Sequence, residues 1–217
     1  MFTAAELKAA LPSAQALGSS SRITGTDLRP FGTSGGGDWG QCRASYASVR
    51  EMGSIEGAGA LQYMLSNSTG NEEAVTAQLG SMPAARASRY LELRRRLNRD
   101  CPEVAVDTEA APVQEHHEAQ RLAGLGDEAL LEVRRQTGGD EYDGTPSYRV
   151  DVRVGGVLVV VESFRDRNAA VMLAALTARR VHSEIYGLRN TRTPWFSTRN
   201  LLSDLARSPE DGSAVGL

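Results

Sequence analysis

The clearest pattern along the chain lies in its second half, where hydrophobic and polar positions alternate. Residues 148–154 have an apolar side made of Tyr148, Val150, Val152 and Val154 and a polar side made of Arg149, Asp151 and Arg153. This period of two predicts a β-strand with one face on the core. Residues 157–161 are apolar on both sides, as in a central strand covered on both faces. Gly155 and Gly156 between the two runs indicate a two-residue hairpin.

Similar alternation predicts further strands at residues 114–122 and 129–136, and in the first half at 42–49 and 57–66. The first-half segments carry Cys42, Tyr46 and Tyr63 among their apolar positions. Together with the hairpin, these runs predict a twisted antiparallel sheet of about six strands.

Helices are indicated by their capping residues. Thr3 with Glu6 forms a capping box at the start of a short N-terminal helix. Polar cap candidates before Glu72 and Glu73 predict a helix that ends near residue 81. Pro83 begins a helix over residues 83–100, and Asp166 caps a long helix that reaches about residue 187.

This order of elements predicts an α+β fold, with an antiparallel sheet, flanking helices and a cleft. We expect one domain over residues 1–187 and a C-terminal extension over residues 188–217 that contains a short helix.

Net charge and the length of the apolar runs limit the classes of function and the locations that the sequence allows. The 217 residues carry a net charge of −3 and a pI near 5.7, which disfavours nucleic acid as a partner. The longest purely apolar run, residues 157–161, is too short to cross a bilayer. The residues after Met1 lack the features of a secretory signal. The sequence therefore leaves two locations open: cytoplasmic if Met1 is the native start, and extracytoplasmic if a leader has been removed.

No cofactor or metal site is predicted. The chain contains no nucleotide-binding glycine loop, no nucleophile elbow and no zinc-ligand spacing. His116 and His117 are adjacent on a predicted strand, so their side chains should point to opposite faces and not share an ion.

The candidate ligand-binding residues are a charged ladder and three aromatic side chains. The ladder lies on the outward side of the second-half strands and consists of Glu132, Arg134, Arg149, Asp151 and Arg153. Such a surface either lines a cleft for a polar or anionic ligand or is a solvated face with weak ion pairs. Tyr46, Tyr63 and Trp39 either add aromatic surface to that cleft or belong to the core. Catalytic residues are not indicated.

The chain has two cysteines, Cys42 at the start of a predicted strand and Cys101 at the end of a predicted helix. These positions favour a disulfide between sheet and helix, although two buried free thiols are the alternative in a cytosolic protein.

The order of several segments resembles a known family. These segments are TAAELKAALPSAQAL at the start, LNRDCPEV after a helix, and GLGDEALLEV and YRVDVRVGGVLVVVESF before the last helix. They are similar to the extracellular sensor domain of PknH-type serine/threonine kinases of actinobacteria and to related lipoproteins, over residues 3–187. The resemblance implies an exported, disulfide-stabilised domain with a cleft for a ligand and no catalytic residues. The kinase sensor has more than two cysteines, and this chain adds a tail.

Three functions follow as hypotheses. The first is an extracytoplasmic sensor or small-molecule-binding domain of a bacterial lipoprotein or receptor. The second is a cofactor-free cyclase or isomerase of secondary metabolism, similar to a pericyclase, which would use a closed apolar pocket to orient its substrate. The third is a protein-interaction module that docks through Trp195 and Phe196 in the tail. The oligomeric state is left open.

Overall fold

The fold is built on an eight-stranded antiparallel sheet. The computed structural model describes residues 1–19, 21–32, 39, 42–66, 72–106, 113–138 and 144–187. The strands are β1 (Arg22–Leu28), β2 (Ala58–Ser66), β3 (Glu73–Ser81), β4 (Glu103–Val106), β5 (Val113–Arg121), β6 (Glu128–Thr137), β7 (Ser147–Val154) and β8 (Val157–Phe164). The helices are α1 (Ala4–Ala10), α2 (Tyr46–Gly53), α3 (Ala84–Asp100) and α4 (Arg167–Arg180). A single turn of π-helix, Val181–Ile185, extends α4.

The strands lie in the order β1-β2-β3-β8-β7-β6-β5-β4. Two meanders, one of three strands and one of five, therefore meet where β3 pairs with β8 at the centre. Helix α3 joins β3 at the centre to β4 at the far edge. It must cross β8, β7, β6 and β5 on its way, and it contacts each of these strands.

Helices cover both faces of the sheet. α1 and α4 cover one face, where the core includes Val150, Val152, Val159 and Leu173. α2 and α3 pack on the other face over a second core that includes Leu91, Leu97 and Leu130. We refer to these as the α4 face and the α3 face. The described residues form one α+β domain, as the alternating pattern predicted, with eight strands instead of about six.

The six predicted strands omit β1, β3 and β4 and include one segment, residues 42–49, that is not a strand. β1 is mostly exposed, so it shows no apolar alternation, and β4 is only four residues long. The hairpin at Gly155 and the last four strands agree with the prediction.

Two predicted elements were wrong. Residues 42–49 are not a strand: a short 3₁₀ turn, Arg43–Ser45, leads into α2. The buried positions Ser48 and Met52 are four residues apart, which is the spacing of one face of a helix and not of a strand. This face of α2 packs toward α3. Residues 71–81 are not a helix, because β3 is hydrogen-bonded on both sides, to β2 and β8. Val75, Ala77 and Leu79 of this strand are buried on the α4 face.

The disulfide is present. Cys42 and Cys101 are bonded across 59 positions, with their Cα atoms 6.1 Å apart. The bond joins the segment before α2 to the end of α3, so it links two helical elements on the α3 face and not a sheet and a helix. The predicted C-terminal extension, residues 188–217, and the glycine-rich residues 33–38 lie outside the described part of the chain.

Candidate functional site: a polar cleft beside α3

The path of α3 leaves a cleft on its own face of the sheet. Because α3 runs from the central β3 to the edge strand β4, it covers the five-stranded meander and not β1 and β2. Beside α3, strands β2, β3 and β8 form the floor of a cavity of about 150 Å³, which we call the cleft. The concave surface beside α3 thus results from the path of the helix across the sheet.

The floor of the cleft consists of two rows of side chains that run across the sheet. Strand register places Tyr63 beside Thr76 and Thr76 beside Glu162. In the next row, Leu61 lies beside Gln78 and Gln78 beside Val160. All six line the cleft. The floor therefore combines polar groups with a smaller apolar strip.

One wall is formed by Phe31, which is held against two glycines. Its backbone exchanges hydrogen bonds of 2.8 and 3.2 Å with Gly57. Its ring lies over Gly80, where a Cβ atom would come within 2.4 Å of Phe31 Cδ2. The ring also meets Tyr90 of α3 edge-on, with 5.9 Å between centroids. Phe31 is 1 % exposed, so this wall is fixed by packing.

A second wall is built around Arg149, whose guanidinium has three protein partners. Arg149 Nε donates to Asp151 Oδ1 at 3.1 Å, Nη1 to Glu162 Oε1 at 2.6 Å and Nη2 to the Tyr90 hydroxyl at 2.5 Å. Burial raises the pKa of Tyr90 to about 12, so its hydroxyl keeps its proton. Arg149 is thus held rigidly at the edge of the cleft.

Under α3, a second arginine completes a buried charge network. Arg94 Nε donates to Glu132 Oε1 at 2.7 Å, and Arg94 Nη2 bonds the other carboxylate oxygen. Arg94 Nε also lies 4.0 Å from Asp151 Oδ2. The network has two arginines and two carboxylates inside the protein, with Glu162 as a third carboxylate, half-exposed in the cleft.

The three carboxylates have different protonation behaviour. Burial alone would raise the pKa of Glu132, but the charge and hydrogen bonds of Arg94 lower it to about 2. Burial raises the pKa of Asp151 to about 6, against the pull of Arg149. Burial also opposes ionisation of Glu162, yet the charges of Arg149 and Arg134 lower its pKa overall. A ligand in the cleft would therefore meet an ionised Glu162 beside a cationic Arg149.

Several polar groups of the cleft have no hydrogen-bond partner among the described residues. The side chains of Tyr63, Thr76 and Gln78 make no hydrogen bond to any other residue that the structure describes. Arg29 lies exposed at the rim and likewise has no ion pair within the described residues. These groups can donate to, or accept from, a bound molecule without first breaking a contact.

The structure brings together only part of the predicted site. Of the predicted residues, Tyr63 and Arg149 line the cleft. Glu132 and Asp151 are each 0 % exposed and act on the cleft only through the arginines. These two and Arg149 are buried under α3, so this part of the ladder is neither a solvated face nor a freely open cleft wall.

The other predicted residues lie elsewhere. Trp39 is buried, with its ring 4.1 Å from that of His117. Tyr46 is 56 % exposed on α2. Arg134 lines a separate hollow with Glu115 and Ser147, and Arg153 pairs with Asp127 at the hairpin.

Sequence reasoning missed most residues of the cleft. Thr76 and Gln78 were hidden because residues 71–81 were predicted as a helix. Tyr90 and Arg94 are four residues apart on α3, a spacing that places both on its sheet-facing side. Arg94 was not predicted, because a buried arginine is rare and no pattern in the sequence marks its carboxylate partner.

The described residues contain no group of three metal-ligating side chains. His116 lies near Glu103 on the α4 face, while His117 faces Trp39 on the other. Among the described helices, none has both the length and the apolar character required to cross a bilayer.

The fold is similar to one of known structure. The chain matches the crystal structure of the extracellular domain of PknH from Mycobacterium tuberculosis with a TM-score of 0.57 and 16 % sequence identity. The match covers 84 % of this chain and 97 % of that one. The resemblance predicted from the sequence is therefore confirmed for the fold. No protein-family model matches the sequence, and a search of the curated proteins gave no match.

Proposed function

We propose that this protein is an extracytoplasmic sensor or binding domain that holds a small polar molecule in the cleft. The observation that carries the proposal is the set of unpaired polar side chains on the floor, Tyr63, Thr76 and Gln78, beside the fixed guanidinium of Arg149. Unpaired donors and acceptors in a concave site offer orientation and specificity to a ligand.

The size and chemistry of the cleft indicate the kind of ligand. A volume of about 150 Å³ is well below the roughly 300–1,000 Å³ typical of sites for drug-sized molecules. We therefore expect a ligand the size of an amino acid or a simple sugar. Its hydroxyl or carbonyl groups would pair with Gln78 and Tyr63, and its apolar side would rest on Leu61 and Val160.

The rigidity of the cleft walls supports a role in ligand binding. Arg149 is fixed by Asp151, Glu162 and Tyr90, and Phe31 is fixed by its glycine contacts. A preorganised site loses less conformational entropy when a ligand binds. The buried network beneath α3 thus acts as a positioning element for the cleft.

An extracytoplasmic location is supported by the disulfide between Cys42 and Cys101. Structural disulfides persist in oxidising compartments and are rare in the bacterial cytoplasm. The similarity of fold to an extracellular domain agrees with this location.

The cleft fits a binding domain better than a cofactor-free cyclase. A cyclase of this kind was expected to use a closed apolar cavity, whereas the cleft is open and lined mainly by polar groups. The interaction hypothesis rested on Trp195 and Phe196, which lie outside the described residues.

The test is a ligand titration followed by backbone amide NMR, with myo-inositol, glucose and glutamine as probes. We expect at least one probe to shift the amide signals around Tyr63, Gln78 and Glu162 at millimolar concentration or below. Gln78→Ala should weaken that binding about tenfold, since it removes hydrogen bonds to the ligand.

Gln120→Ala is the matched control, because Gln120 is an exposed strand glutamine far from the cleft. It should leave the titration unchanged. The proposal fails if no probe perturbs the cleft, or if Gln120→Ala weakens binding as much as Gln78→Ala.

A further inference from the structure

A second pocket lies on the other side of α3 from the cleft. It has a volume of about 380 Å³ and lies between the last two turns of α3 and strands β5 and β6. We call it the arginine pocket. Its lining residues are Arg95, Asn98, Arg99, Ala119, Arg121 and Leu130.

The arginine pocket has an excess of positive charge. Three arginines and no carboxylate line it among the described residues. Glu128 pairs with Arg95 and Arg153, and Asp100 pairs with Arg99, so these contacts offset part of the charge and Arg121 supplies the excess. Arg121 is exposed and forms no ion pair with any residue that the structure describes. The local charge therefore favours an anion.

Two buried polar atoms of the lining residues also lack partners. Arg95 Nε is shielded from solvent, and no acceptor for it exists among the described residues. Asn98 is 4 % exposed, and its Oδ1 atom has no donor in the described part of the chain. The amide orientation is fixed because Asn98 Nδ2 donates to the Arg94 carbonyl at 2.9 Å. Unpaired buried atoms of this kind are costly unless a bound group satisfies them.

These features call for a ligand with two properties. It must carry negative oxygens for the guanidinium groups, which bind oxyanions through several N–H donors. It must also donate one hydrogen bond, because Asn98 Oδ1 can only accept. A phosphate that keeps one P–OH group near neutral pH has both properties, whereas sulfate has only the first.

We propose that the arginine pocket is a phosphate-binding site, independent of the cleft. Arg95, Arg99 and Arg121 bind the charged oxygens, and Asn98 Oδ1 accepts the P–OH proton. The volume exceeds what a phosphate ion needs, so the site also has room for the substituent of a phosphate monoester, which binds as its singly protonated monoanion. The source of the phosphate is then either the free ion or a monoester such as a lipid headgroup.

The test is calorimetric titration of the whole chain with inorganic phosphate and, at matched ionic strength, with sulfate. We expect phosphate to bind at least about tenfold more tightly than sulfate, because sulfate leaves the Asn98 acceptor unpaired. Arg121→Ala should weaken phosphate binding by about tenfold or more, since it removes a charge-assisted contact.

Arg121 is exposed, so its replacement should not disturb folding, and a melting curve checks this. The control is Arg22→Ala, which removes an exposed strand arginine at the opposite edge of the sheet. It should not change phosphate binding. The proposal is overturned if phosphate does not bind, if sulfate binds equally well, or if the Arg121 and Arg22 variants behave alike.

Sedimentation with vesicles distinguishes the two sources. Vesicles of phosphatidylcholine with added phosphatidic acid present a phosphate monoester, and pure phosphatidylcholine vesicles are the reference. Arg121-dependent binding to phosphatidic acid supports a membrane monoester, and calorimetric binding of phosphate without vesicle binding supports the free ion.

Discussion

Arg94 and Glu132 face each other across the interface between α3 and the sheet, and the guanidinium binds both carboxylate oxygens. Neither side chain is more than 1 % exposed. The pair fixes the position of α3 over β6, and Asp151, which lies near Arg94, extends the network to Arg149 in the cleft. The stability of the domain and the geometry of the cleft are therefore coupled through one set of buried charges.

Removal of the Glu132 charge should destabilise the domain strongly. Glu132→Gln leaves Arg94 buried with a weaker acceptor, and breaking a buried ion pair costs about 3–5 kcal/mol. Urea unfolding of the variant and the wild type measures this loss. The control is Glu118→Gln at the exposed pair with Arg135, which should cost no more than about 1 kcal/mol. Equal losses in the two variants would contradict a structural role for the buried pair.

Asp151 should make stability depend on pH in a defined direction. Its pKa of about 6 in the folded protein exceeds the ordinary value of 3.8, so the folded state binds the proton more tightly. This stabilisation is present at low pH and is lost as the pH rises through about 6.

Asp151→Asn removes that titration. The stability of the variant relative to the wild type should therefore be greater at about pH 7.5 than at about pH 5, by about 1 kcal/mol. Glu132 does not interfere, because its pKa of about 2 and its ordinary value of 4.5 both lie below this window. Urea unfolding at the two pH values measures the difference. A constant difference between variant and wild type would show that Asp151 of the folded protein does not titrate between these two pH values.

Gly80 should be required for the shape of the cleft. A Cβ at this position would lie 2.4 Å from the Phe31 ring, so Gly80→Ala must displace that wall. Such overpacking typically costs about 1–3 kcal/mol. Gly53→Ala is the matched control, because a Cβ there meets no atom within 4 Å and the position lies in α2. The control should be neutral or slightly stabilising, and thermal unfolding of both variants compares them.

The disulfide should contribute substantially to stability. Replacement of Cys42 and Cys101 by alanine opens a loop of 59 positions, and the chain-entropy model predicts a loss of about 4 kcal/mol. Dithiothreitol should lower the melting temperature of the wild type and leave that of the double variant unchanged. A double variant as stable as the oxidised wild type would show that the bond does not constrain the unfolded chain.

The cleft was harder to predict than the strands that form it. Arg149 and Tyr63 were found because they stand on strands with clear alternation. Thr76 and Gln78 were missed because Glu72 and Glu73, at the start of β3, follow a run of polar cap candidates, which resembles a helix start. Pairing with strands on both sides then outweighed this local signal.

The sequence by itself determined the α+β class, the hairpin at Gly155, and helices α1, α3 and α4. These depend on local periodicity, on caps and on turn residues, all of which act over a few positions. Only the tertiary structure decided that α3 crosses half of one face, that Arg94 binds Glu132 beneath it, and that Phe31 closes the cleft. Arg94 and Glu132 are 38 positions apart in the chain, and Phe31 and Tyr90 are 59 apart. The energies of these contacts depend on burial and on which charged residues from distant segments become neighbours in the fold. A pattern within one segment of the sequence does not contain that information.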